Sequence, residues 1–93
     1  MTLEERVRDV LCEMGYEDAV LFESPCFTRA IVGVSEEGRV AYDFERMVES
    51  FMEEAGIERD EAVEFICYNT VRACEYIDDP PIILYRLNID ELE

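Results

Sequence analysis

The chain has 93 residues, with 24 Asp and Glu against 8 Lys and Arg, for a formal net charge of −16 at pH 7. His, Lys, Gln and Trp are all absent, so every cation is an Arg. Without His there is no Ser-His-Asp or Cys-His triad and no imidazole metal ligand, and without Lys no P-loop lysine or Schiff-base nucleophile. The charge argues against direct nucleic-acid binding, which needs cations to displace counterions from phosphates, and against an anionic membrane surface.

A hydrophobic content of 49% is enough for a folded core despite the charge. The expectation is one domain over residues 1–93, made of an N-terminal helix and variable segment (1–29), a hairpin, two helices and a strand (30–87), and an acidic tail (88–93). No apolar run approaches the ~18 residues of a membrane-spanning helix. The start, Met1 to Arg6, lacks a signal peptide's apolar stretch, so a cytoplasmic setting is expected.

In chain order, Thr2-Leu3-Glu4-Glu5 forms a capping box, and Leu3, Val7, Val10, Leu11 and Met14 recur at helical spacing. Gly15 and Tyr16 supply the left-handed residue and the apolar contact that end a helix. Ala19 to Phe22 is a short apolar run, read as a strand or a packed loop, and Ser24-Pro25 breaks it. Thr28 to Val34 and Arg39 to Tyr42 flank Ser35-Glu36-Glu37-Gly38, the pattern of a β-hairpin with Gly38 in the turn.

Asp43 is a suitable N-cap for a second helix with the apolar stripe Phe44, Met47, Val48, Phe51, Met52 and Ala55, closed by Gly56. A third helix follows, acidic in its first turn, with Val63, Ile66, Cys67, Thr70, Val71, Cys74 and Ile77 expected on its buried stripe. Pro80-Pro81 stops it, and Ile82 to Leu87 reads as the last strand. The expected fold is α+β: three helices on a small, largely antiparallel sheet of a hairpin plus a C-terminal strand, in the order α-β-β-α-α-β.

The four cysteines, Cys12, Cys26, Cys67 and Cys74, show no CxxC spacing. Reduced thiols packed as small hydrophobes are expected, with an all-cysteine zinc site or two disulfides as alternatives. Tyr68-Asn69-Thr70 interrupts the apolar text of the third helix. Its polar groups are expected to satisfy backbone atoms of the adjoining hairpin or loop, the alternative being a polar contact in a binding groove lined by tyrosines.

The candidate site is the carboxylate distribution: Glu45, Glu49, Glu53 and Glu54 on the second helix, then Glu61, Glu64, Glu75, Asp78 and Asp79 on and after the third. Glu45, Glu49 and Glu53 recur every four residues with only Arg46 within their helix to offset them, and successive side chains rise about 6 Å along the axis. That spacing is comparable to the phosphate repeat of a nucleic-acid strand. One reading is a nucleic-acid mimic docking on a basic, nucleic-acid-binding protein such as a nuclease; the other is a solvated face that keeps a small protein soluble. Paired carboxylates can also serve as acid and base or bind divalent cations, but no D-x-D-x-D-G loop is present. No catalytic residue, metal or cofactor is assigned. An interaction module acting as a homodimer through apolar surface or an uncovered sheet edge is the other functional class.

Ala30-Ile31-Val32-Gly33-Val34, Gly38-Arg39-Val40, Tyr42-Asp43-Phe44, Met47-Val48-Glu49, Glu61 to Ile66, Tyr68-Asn69-Thr70-Val71-Arg72-Ala73 and Pro81-Ile82-Ile83 resemble short acidic proteins of gut Gram-positive bacteria and their prophages or other mobile elements. The resemblance covers about two thirds of the chain, and the Tyr-Asn-Thr-x-Arg-Ala run is its most specific part. It implies no activity or site residues. It implies a mobile-element setting, in which small acidic proteins disable host nucleases, as anti-CRISPR proteins do.

Overall fold

The structure, a computed structural model, describes residues 2–23 and 27–92. The first helix, α1, spans Leu3–Glu13. Thr2 caps it by accepting the Glu5 amide and donating its hydroxyl to the Glu5 carboxylate, both at 3.2 Å. Gly15, at φ +90°, ends it: its amide bonds the Cys12 carbonyl and that of Tyr16 the Leu11 carbonyl, so two otherwise orphaned carbonyls are satisfied. Residues 19–22 form no strand; they pack as a loop with Leu21 and Phe22 buried. The Ser24-Pro25 break and Cys26 lie outside the described residues.

After a helical turn at Thr28–Ala30, β1 (Ile31–Val34) and β2 (Val40–Asp43) form the expected antiparallel hairpin. The register slips by one residue between Ile31 and Gly33. Gly38 holds φ +85° in the turn, and a Cβ there would lie 2.9 Å from Tyr16 Cδ1. The hairpin tip is thus stacked on Tyr16, just past the end of α1, and Tyr16 also donates its hydroxyl to the Glu36 carbonyl at 3.2 Å.

Helix α2 (Phe44–Ala55) starts on Asp43, whose side chain accepts the Glu45 amide at 3.2 Å, and closes on Gly56 at φ +66°. Helix α3 (Arg59–Phe65) follows at once. The third helical stretch does not continue as α-helix to Ile77. It widens into a π-helical segment, Ile66–Val71, and then tightens into a 3₁₀ turn, Arg72–Tyr76. Asn69 Nδ2 donates to the Phe65 carbonyl at 3.0 Å, a carbonyl that an α-helix would give to the amide of residue 69. Asn69 therefore serves its own helix, not the neighbouring hairpin. Of the expected stripe, Ile66 and Thr70 are buried, but Cys67 faces solvent.

Strand β3 (Ile82–Leu84) is shorter than its pattern suggested and pairs with β2 in parallel, giving a mixed sheet of order β1-β2-β3. Parallel neighbours need a long crossover, here supplied by α2, α3 and the turns after it. Arg39 Nε donates to the Pro80 carbonyl at 2.7 Å and holds that crossover's end against the hairpin. The tail carries a short helix, α4 (Ile89–Leu92).

The core lies between the sheet, α2 and α3 and the loop before β1, with Ala30, Tyr42, Met47, Val48, Ala62 and Ile66 fully enclosed. Tyr42 anchors the loop. Its ring lies 4.7 Å from that of Phe22, and its hydroxyl accepts the Phe22 amide at 3.1 Å. Phe27 takes a left-handed φ of +50° and turns its ring between Phe22 and Phe51, at centroid distances of 6.4 and 6.2 Å. The structure is α+β in the order α-β-β-α-α-β, with the added C-terminal turn. No described helix is long and apolar enough to cross a membrane.

Candidate functional site

Helix α2 places its carboxylates by periodicity. Phe44, Met47 and Val48 are buried, so the opposite side of the helix presents Glu49, Glu53 and Glu54 to solvent. Glu45 departs from the expected stripe. Arg59, at the start of α3, forks onto it with two nitrogen–oxygen contacts of 2.9 Å. This guanidinium holds the Glu45 carboxyl below its ordinary pKa, and the carboxylate in turn raises that of Arg59. The cation that neutralises Glu45 comes from the next helix, beyond the reach of spacing within one helix. The same fork and the Phe51–Phe65 stack, 4.5 Å between ring centroids, fix α3 against α2.

The remaining candidates, Glu49, Glu53, Glu54, Glu61, Glu64, Glu75, Asp78 and Asp79, are all exposed, and none has an ion-pair partner within 4 Å among the described residues. They do not form one patch. Glu61 and Glu64 line a depression of about 450 Å³ with Phe65, Tyr68 and Asn69. Glu54 borders a different hollow, shared with Glu4 and Arg29. Asp79, at φ +51°, lies at the hairpin end beside Glu17, Asp18, Glu37 and Arg39.

Of the aromatic neighbours of Glu61 and Glu64, the sequence offers Tyr68 as a groove tyrosine but does not single out Phe65. The signal was there, since Phe65 and Tyr68 each follow one of those glutamates by four residues, one helical turn. Tyr68 is 67% exposed, and the Arg72 guanidinium stands 5.4 Å over its ring. Arg72 thus already occupies one face of that ring, a cation–π contact within the chain. The clustering of Glu17, Asp18 and Glu37 with Asp79 had no sequence signal, because the residues come from three segments.

The cysteines differ from expectation. Among the described residues Cys12, Cys67 and Cys74 are free thiols, but Cys12 and Cys67 are exposed, not packed as small hydrophobes. Of these three Cys74 is half-buried; its thiol donates to the Thr70 carbonyl at 3.5 Å, and burial pushes its pKa up. No group of three or more Cys, Asp or Glu among the described residues is placed to hold a metal ion. No family model, curated protein or solved structure matches the chain.

Proposed function

We propose that this chain is a non-catalytic protein-binding module that docks its Glu-rich helical surface on a basic, nucleic-acid-binding partner, as an inhibitor that occupies the partner's nucleic-acid groove. What supports the reading is one observation: Glu49, Glu53, Glu61 and Glu64 stand exposed on two adjacent helices without an ion-pair partner among the described residues. Like charges left unpaired on a helix cost a few tenths of a kcal/mol each, a cost that a cationic partner removes. Tyr68, largely exposed beside Glu61 and Glu64, adds aromatic surface for contact with a partner.

The reading predicts affinity that falls steeply with salt and competition by duplex DNA or RNA. The test is capture of nucleic-acid-binding proteins from a nuclease-treated bacterial lysate, followed by titration of the recovered partner. Replacing Glu49, Glu53, Glu61 and Glu64 together by Gln preserves shape and removes charge, so binding should fall by at least about tenfold. Binding unchanged in that variant, or undiminished by excess nucleic acid, excludes the mimic.

A further inference from the structure

A second surface carries almost no charge. Helix α1 and strand β1 face each other across a groove of about 590 Å³, walled by Leu3, Val10 and Met14 on one side and Ile31, Val32 and Val34 on the other. Val10, Met14 and Val32 are each about half exposed. Arg6 is the one charged residue in the lining, and it has no ion-pair partner among the described residues. Strand β1 is an edge of the sheet, paired with β2 alone among the described strands, so no further strand covers the groove on that side.

The complementary surface is on the same chain. Leu84 is the last residue of β3 in register with β2. Tyr85 then packs on Phe44 at 4.9 Å between ring centroids, and Arg86 is tied to Asp43. Beyond that anchor Leu87, Ile89 and Leu92 are 75%, 55% and 73% exposed. Ile89 and Leu92 lie three residues apart on one face of the short helix α4, Leu87 precedes them, and Asp90 and Glu91 supply carboxylates for Arg6. The tail is rooted next to β3, and β2 lies between β3 and β1, so the chain's own tail leaves the sheet at the edge away from the groove.

We propose that the α1/β1 groove receives the segment Leu87–Leu92 of a second copy, which lays Leu87 and the apolar face of α4 between α1 and β1 and brings Asp90 or Glu91 to Arg6. Exchange in both directions closes a two-fold dimer. Because each copy carries a net charge of −16, dimerisation strengthens with salt, opposite to docking on a basic partner. The inference is therefore independent of the proposed function.

The test is sedimentation of the full chain from micromolar to millimolar concentration. One variant is altered in the tail (Leu87→Gln with Ile89→Gln) and one in the groove (Val10→Gln). All three sites are exposed and the substitutions are uncharged, so fold and net charge are kept, as far-UV circular dichroism verifies. The expected result is a dimer that each variant weakens by at least about tenfold. Mixing the two variants should recover part of the association, since one of the two exchanged contacts then joins an intact tail to an intact groove. A monomer at every concentration overturns the proposal. So does a dimer that survives the tail variant, which would mean that the groove pairs with another occupant.

Discussion

Arg86 forks onto Asp43 from 43 residues away, with Nη2 at 2.6 Å and Nε at 3.0 Å from the same carboxylate oxygen. The Asp43 side chain is only 10% exposed and also accepts the Glu45 amide, so one carboxylate caps α2 and anchors the chain just past β3. Arg46 adds a weaker contact at 3.7 Å. Asp43→Ala should cost about 2–3 kcal/mol, combining a lost cap with lost charge-assisted hydrogen bonds, and Asp43→Asn less because it can still cap. Urea denaturation measures both.

The same pair sets a pH dependence. Hydrogen bonding from Arg86 holds the Asp43 carboxyl below its ordinary pKa of about 4, outweighing the opposing effect of burial. A depressed carboxyl stabilises the fold fully above its unfolded pKa, and that contribution is lost as pH falls through the folded value. The difference in urea midpoint between wild type and Asp43→Asn should be constant from neutral pH to about pH 5 and close below about pH 4.

Tyr42→Phe removes the acceptor of the Phe22 amide without opening a cavity. A buried amide left without that acceptor costs about 1–3 kcal/mol. The expected signature is a lower thermal midpoint together with faster hydrogen exchange at the Phe22 amide. Tyr85, 57% exposed, should tolerate the same change within about 0.5 kcal/mol.

Gly38 and Gly15 share a positive φ but differ in surroundings. A Cβ at Gly15 meets nothing within 4 Å, whereas at Gly38 it runs into the Tyr16 ring at 2.9 Å. Gly15→Ala should cost about 1 kcal/mol from the backbone alone. Gly38→Ala should cost about 1 kcal/mol more, because the ring that stacks the hairpin on α1 must move. Repeating both in a Tyr16→Ala background should erase most of the difference, a double-mutant cycle read by denaturation.

Thiol reactivity should follow exposure. In the folded protein Cys12→Ser and Cys67→Ser should each remove one rapidly reacting equivalent toward Ellman's reagent. Cys74→Ser should remove a slow one, since burial raises that thiol's pKa and shields its sulfur.

Local chemistry was legible in the sequence. The capping box at Thr2, the helix end at Gly15, the hairpin turn at Gly38, the Asp43 cap and the stop at Gly56 all occur where the residues place them. Each is decided within about four residues, where steric limits and short hydrogen bonds dominate over distant packing. The apolar periodicity of α2 likewise named Phe44, Met47 and Val48 as core. By contrast, the α-helical pattern does not continue past Phe65, where the helix widens and Asn69 takes a carbonyl of its own helix, and Cys67, expected on the buried stripe, is exposed.

The sequence by itself determined that this is an acidic α+β chain whose exposed helical carboxylates outnumber its cations, and it excluded His- and Lys-dependent chemistry. Only the tertiary structure decided which carboxylates are already neutralised, which way the last strand runs and what faces what across space. Arg59 on Glu45, Arg86 on Asp43 and the α1/β1 groove all join residues more than ten positions apart. Such meetings depend on how elements pack, and periodicity along one element contains no record of the element it will touch.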